Sequence, residues 1–309
     1  MSATHSSSVA VAGSIASIRK VGLLGLGIMG SAMSANLVRA GFEVRGYDPV
    51  PVAGQALSEC GGQSLGDAES VIRDSEVLLL SLPGEAALKQ TVMLIAAHGL
   101  AGQIVAETST FSIEAKQVAH DLLAARGIVM LDCPLSGTGA QARTRDLAVY
   151  ASGDSDAISR MSPVFDGFAR VTYPIGVFGN GMRMKLMANL LVAIHNVSAA
   201  EALLMGSRMG IDMELAVKVL SDGAGGSRML QVRGPMMVNQ GWTDATMKVQ
   251  TWQKDMSLIA AELAAANVPA PLFNACVPVY NAAMGMGHAK DDTAAVFDVL
   301  ERMSAPARN

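Results

Sequence analysis

Ile18-Arg19-Lys20-Val21-Gly22-Leu23-Leu24-Gly25-Leu26-Gly27-Ile28-Met29-Gly30 is a short, mostly apolar run that closes on three spaced glycines. Residues 18–25 read as a buried strand. From residue 29 to 40 the pattern turns helical, with Met29, Met33, Leu37 and Val38 at helical spacing. Gly41 ends that helix and Phe42 to Tyr47 return to extended structure, which makes one βαβ unit. The glycines then have separate tasks. Gly25 permits a tight turn, Gly27 lets a ligand approach the backbone, and Gly30 allows helix and strand to pack closely. Gly25-x-Gly27-x-x-Gly30 is therefore a dinucleotide fingerprint, with a pyrophosphate expected over Gly27, Ile28 and Met29 at the positive end of the helix.

Asp48 follows the second strand at the spacing of about 20 residues expected for the ribose-binding acid. A carboxylate there accepts from ribose hydroxyls and repels a 2′-phosphate, so NAD is the expected cofactor and NADP the alternative. Pro49 follows Asp48 where an arginine would serve a 2′-phosphate, and Arg45, near the strand's end, is the candidate phosphate partner.

Alternation continues outward from this unit. Strands are expected at 77–82, 104–107, 128–131, 149–151 and 171–173, with helices near 86–97 and 112–126. Such alternation implies a Rossmann-type, doubly wound parallel sheet with helices on both faces. Past Gly181 the signals become helical, beginning with a Pro-free stretch from Met182 to Met209 that reads as one long helix buried on several sides. Turns are expected at 223–226, 234–235, 269–271 and 285–287. The expected organisation is a disordered tail over 1–17, a dinucleotide-binding domain over 18–177, and an all-helical substrate and oligomerisation domain over 178–309.

The 309 residues carry a formal net charge of −4, which argues against nucleic-acid binding. No apolar run reaches the ~18 residues of a membrane span. Three scattered cysteines have neither metal-ligand nor disulfide-framework spacing, so a reducing, cytoplasmic setting without a metal site is expected. The 20 methionines are scattered and read as core filling.

Three polar segments stand out. Asp132-Cys133-Pro134-Leu135-Ser136-Gly137-Thr138-Gly139 follows a buried strand, at the sheet end where open α/β folds bind ligands. Lys185 and Asn189 lie four residues apart on one face of the long helix, a costly pair on an oily surface unless it has a use. Lys254-Asp255 alone reads as a surface pair. His195 and His288 read better as a packed and a loop histidine than as catalysts.

Taken together, these motifs resemble the β-hydroxyacid dehydrogenase family, which includes 3-hydroxyisobutyrate, tartronate semialdehyde and threonate-type enzymes. The resemblance spans residues 20 to 302 and rests on four ordered motifs: Gly25 to Gly30, Asp132 to Gly137, Gly179 to Asn189, and Lys254 to Leu258. It implies that Lys185 is the general acid/base and that Asn189 helps to position substrate and lysine. It also implies that Ser136 and Gly137, with Thr138 beside them, bind the substrate carboxylate, and that Lys254 lies near nicotinamide and substrate. The cofactor is implied to touch Leu82-Pro83 and the Thr108-Ser109-Thr110 segment, Thr110 in particular.

Departures from the family pattern are Thr138 in place of a second glycine, Ala188 in place of an asparagine, and the basic stretch Arg143 to Leu147. The resemblance implies hydride transfer between NAD(P) and a small β-hydroxy carboxylate. The long oily helix and the Ala-rich C-terminal helices, which can bury themselves against a second copy, make a homodimer or homotetramer the expected assembly. The rival readings are an imine reductase, which resembles the family with the lysine replaced, and a non-catalytic dinucleotide-binding scaffold. The 6-phosphogluconate dehydrogenases share the motifs but are much longer.

Overall fold

A computed structural model describes residues 18–304. The expected disordered tail, 1–17, lies outside the described residues. Strand β1 (Lys20–Leu24) runs into helix α1 (Ile28–Arg39), and β2 (Glu43–Tyr47) pairs parallel to β1 with Gly22 opposite Arg45. The stop of α1 is written in its sequence. Gly41 takes a left-handed φ of 93°, its N–H donates to the Val38 carbonyl, and that of Phe42 reaches back to Leu37.

Next come α2 (Pro51–Glu59), β3 (Gln63–Ser64), α3 (Ala68–Arg73), β4 (Val77–Leu80), α4 (Glu85–His98), β5 (Ile104–Glu107), α5 (Ile113–Ala124) and β6 (Val129–Asp132). These six strands form one parallel sheet in the order β3-β2-β1-β4-β5-β6. It is the expected Rossmann arrangement, with the strand order reversing beside β1. β4 and β5 are buried at every position, as strands covered on both faces must be. One core packs α1 and α7 (Ser155–Phe168) against the sheet through Met33, Leu37, Met161 and Phe165; another lies under α4 and α5 around Leu88, Ile95 and Leu123.

Beyond β6 the chain makes a smaller sheet, β7 (Leu135–Ser136), β8 (Ala148–Ala151) and β9 (Val171–Pro174), with α6 (Gly139–Arg143) between its first two strands. From there the described elements are helical: α8 (Asn180–Arg208), α9 (Met213–Asp222), α10 (Arg228–Val238), α11 (Val249–Ala265), α12 (Pro271–Gly285) and α13 (Val296–Met303), with two short 3₁₀ turns before the last. They share a core around Met182, Leu203, Trp252, Phe273 and Tyr280.

Two expectations need correction. The turn expected at 234–235 is helix, because α10 runs through Gly234 and Pro235. Packing outweighs the local breakers there: Leu230 and Met237 are buried, and a Cβ on Gly234 would come within 3.1 Å of Val217 on α9. The long helix is also less enclosed than its composition suggested. Met187, Leu191 and Met205 are more than half exposed along it, although it is long and apolar enough to cross a membrane.

Candidate active site

The glycine turn sits at the carboxyl end of β1. A Cβ on Gly25 would meet the Ser81 carbonyl oxygen at 2.1 Å, and one on Gly30 the Gly25 oxygen at 2.0 Å, so neither position admits a side chain. Gly27 differs. A Cβ there would meet nothing within 4 Å, and Gly27 starts α1 without any side-chain cap. This is an open approach to a helix N-terminus, the cradle a pyrophosphate needs. Asp48 closes the turn from below, with Oδ2 accepting from the Leu26 N–H at 2.7 Å and Oδ1 from that of Val50 at 2.8 Å. Each carboxylate oxygen has a second lone pair for a ribose hydroxyl.

Arg45 is removed as a phosphate partner. Its side chain lines a different cavity with Lys20, Glu76 and Gln103, at the amino ends of the strands. Two residues along a strand keep the same face but do not carry a guanidinium to the opposite sheet edge.

A cleft of ≈ 390 Å³ opens beside the turn. Ile28, Met29, Leu82, Ser109 and Thr110 form its sheet side, Gly137, Thr138 and Gly139 one end, and Lys185, Thr246, Gln250, Thr251 and Asp255 its helical side. Pro83 follows Leu82 and is exposed. Leu82 is fixed by its N–H, which donates to Ser109 Oγ at 2.8 Å.

Lys185 enters on the first turns of α8. That helix can start where it does because Gly181 lies against other backbone: a Cβ there would sit 2.5 Å from the Tyr150 oxygen. Burial pushes the Lys185 ammonium below its ordinary pKa; Asp255 opposes that shift and Lys254 adds to it. Asn189, a turn further on, is buried behind the cleft wall and donates to Asp255 Oδ2 at 2.9 Å. The other oxygen, Asp255 Oδ1, is buried and has no hydrogen-bond partner among the described residues. Burial raises the Asp255 pKa against the pull of Lys254 and Lys185. A buried carboxylate oxygen without a hydrogen bond, in one cleft with an amine of lowered pKa, suits a site that handles protons.

Lys254 is placed differently from the rest. Its ammonium donates to the Thr110 carbonyl at 2.6 Å, lies 5.3 Å from the Phe111 ring centroid, and is 3.8 Å from Asp255 Oδ1. It ties α11 to the loop after β5 at the edge of the cleft. Ser136 is half-buried at the end of β7, just behind Gly137. Thr138 is engaged already: it caps α6 in a reciprocal box, donating its N–H to Gln141 Oε1 at 3.0 Å and accepting the Gln141 N–H at 3.4 Å. Its hydroxyl shapes the loop, and Gly137 and Gly139 line the cleft on either side of it.

His195 and His288 are not among the cleft's lining. His288 is held between Asp291 and Asp298 at 2.8 and 2.7 Å.

Sequence reasoning took Asp255 for half of a surface pair. The signal that places it inside is its spacing from Val249, Trp252, Met256 and Ile259, the buried face of α11. It also passed over Asp292, which holds the far wall. Asp292 accepts from the Thr246 and Met247 N–H groups at 2.8 and 2.9 Å and pairs with buried Arg233 at 2.9 Å.

Comparison with known proteins agrees with this fold. Residues 20–200 match the family profile described as the NAD binding domain of 6-phosphogluconate dehydrogenase. Residues 179–300 match the one described as NAD-binding of NADP-dependent 3-hydroxyisobutyrate dehydrogenase. The L-threonate dehydrogenase of Escherichia coli K12 is 31% identical over 291 residues, which cover 93% of this chain and 96% of that one. A Mycobacterium tuberculosis 3-hydroxyisobutyrate dehydrogenase solved with L-serine superposes with a TM-score of 0.83 at 26% identity, over 92% of this chain and 99% of that one. An imine reductase from Pseudomonas sp. is more distant, with a TM-score of 0.59 and 18% identity over 92% of this chain and 99% of that one, a likeness of fold.

Proposed function

Because the chain belongs to the β-hydroxyacid dehydrogenase family and is an NAD(P)-dependent oxidoreductase, we propose that Lys185 is its general acid/base, acting on a small hydroxylated acid in this cleft. The observation that carries the reading is Lys185 itself, an amine of lowered pKa facing the same cleft as Ile28 and Met29 of the glycine turn. The nicotinamide, when bound, supplies the hydride acceptor or donor. In the oxidation direction neutral Lys185 Nζ takes the hydroxyl proton as the carbinol C–H leaves as hydride; in reduction the protonated amine returns it to the forming alkoxide. Asn189 acts through Asp255, whose carboxylate it orients towards the amine. Gly137 and Gly139, with Ser136 behind them, receive the substrate carboxylate, and Lys254 holds Thr110 and the cofactor loop in register.

Two finer points follow. Gln250 and Thr251 offer an amide and a hydroxyl on the helical wall, which favours a polyhydroxylated acid of threonate type over a methyl-branched one. Asp48 favours NAD over NADP. We take 18–177 as the cofactor domain and 178–309 as the substrate and oligomerisation domain of a cytoplasmic homo-oligomer. A panel of L-threonate, glycerate and 3-hydroxyisobutyrate with NAD and with NADP, followed by nicotinamide absorbance, tests the reading. The highest kcat/KM is expected for threonate with NAD. A preference for 3-hydroxyisobutyrate would overturn the substrate assignment, and cofactor binding without turnover on any hydroxy acid would favour the scaffold reading.

A further inference from the structure

Behind the cleft lies a buried charge cluster that the chemistry above does not use. Lys116, on α5, is wholly buried with Glu107 and Asp132, its ammonium 2.6 Å from Glu107 Oε2 and 2.7 Å from Asp132 Oδ1. Burial drives the Glu107 carboxyl up in spite of the lysine beside it. Burying such a group is seldom worth more to stability than apolar residues of the same volume. The free oxygens show what this one does. Glu107 Oε1 accepts from the Ser109 N–H at 2.8 Å, fixing the turn into Thr110 on the sheet side of the cleft. Asp132 Oδ2 accepts from the Met182 N–H at 2.8 Å, in the first turn of α8, three residues before Lys185. Ser152 Oγ braces that end, donating to Asp132 Oδ2 at 3.2 Å and accepting the Gly181 N–H at 2.9 Å.

One ammonium thus joins two carboxylates, each with its remaining oxygen on the backbone of a different wall of the site. We infer that Lys116 is a positioning residue: it sets the distance between the cofactor loop at Ser109–Thr110 and the helix that carries Lys185. The inference rests on Lys185 being the acid/base. Since the two backbone anchors are separate, the two arms of the cluster have separable consequences. Loss of the Glu107 arm loosens the cofactor side. Loss of Lys116 releases both arms, so that amine and nicotinamide no longer meet the substrate in one geometry.

The test compares Lys116→Met and Glu107→Leu with the wild type. Readouts are the cofactor Kd by fluorescence quenching, kcat and KM for the best hydroxy acid, and the deuterium effect on kcat with substrate labelled at the carbinol carbon. Glu107→Leu leaves a balanced Lys116–Asp132 pair and is expected to fold; its cofactor Kd should rise about tenfold with a smaller change in kcat. Lys116→Met should lose on the order of 10²-fold in kcat, the scale of a misplacement of about 1 Å, with a raised deuterium effect as hydride transfer becomes limiting. Wild-type Kd, kcat and deuterium effect in either folded variant, with only a lower Tm, would overturn the inference. Should Lys116→Met fail to fold, the Kd of Glu107→Leu decides alone. Cofactor Kd needs no turnover, so a failed assignment of Lys185 stays distinguishable from a failure here.

Discussion

At the scale of the residue, Lys185 as the proposed base works only while neutral, so its charge is expected to set the pH range of the oxidation. Burial lowers its pKa from the ordinary 10.5. Oxidative kcat/KM is therefore expected to rise with pH and level off below that value, with reduction running the opposite way. Asp255 stabilises the ammonium and Lys254 destabilises it. Asp255→Asn should accordingly move the oxidative profile to lower pH and Lys254→Met to higher pH; pH–rate curves on both variants check the signs, and shifts in the reverse sense would remove these residues as modulators. The glycine turn offers a second contrast. Gly27→Ala puts a methyl into open space, so Tm should hold while cofactor Kd rises by tenfold or more (on the order of 1.4 kcal/mol). Gly25→Ala forces a methyl onto the Ser81 carbonyl at a left-handed φ of 93°, and should lower Tm as well.

At the scale of the element, the far wall of the cleft depends on one buried ion pair. Burial alone would raise the Asp292 pKa, but Arg233 and the Met247 N–H outweigh it and bring the carboxyl below its ordinary 3.8. A depressed acid stabilises the fold above its unfolded pKa and loses that contribution as pH falls through the folded one. Asp292→Ala strands the Arg233 guanidinium in the core and should cost about 3–5 kcal/mol in denaturant unfolding; a loss below 1 kcal/mol would show the wall to be held by packing.

Elements of this kind divide the legible from the illegible. The run from Lys20 to Leu24, all of β5 and the start of α8 near Gly179 could be read because each has its own periodicity and stop signals. β3 and β7 span two residues each and have no period to detect. The site divided the same way. Lys185 and Asn189 share one helix face, so their spacing shows in the chain. Lys116, Glu107 and Asp132 meet only across α5, β5 and β6, and no local pattern announces the pairing. Thr138 lies between these cases: Thr-x-x-Gln is a capping box visible in the sequence, and the same residue lines the cleft.

At the scale of the whole molecule, α8 joins the two functions. Its first turns are anchored on Asp132 and present Lys185; further along, Met187, Leu191 and Met205 leave apolar surface uncovered in one chain. A second copy is the expected cover. Light scattering should give a dimer or tetramer, and Leu191→Glu with Met205→Glu should shift it towards the monomer; a monomeric wild type would contradict this. Across one cleft the glycine turn of the dinucleotide site faces the lysine proposed to transfer the proton. Lys185→Met tests that role most directly, with cofactor Kd and hydroxy-acid turnover measured on the same preparation. An unchanged Kd is expected, with a loss in kcat on the order of 10²–10⁴-fold, the usual range for removing a general acid or base. Turnover retained within a few-fold of wild type would contradict it.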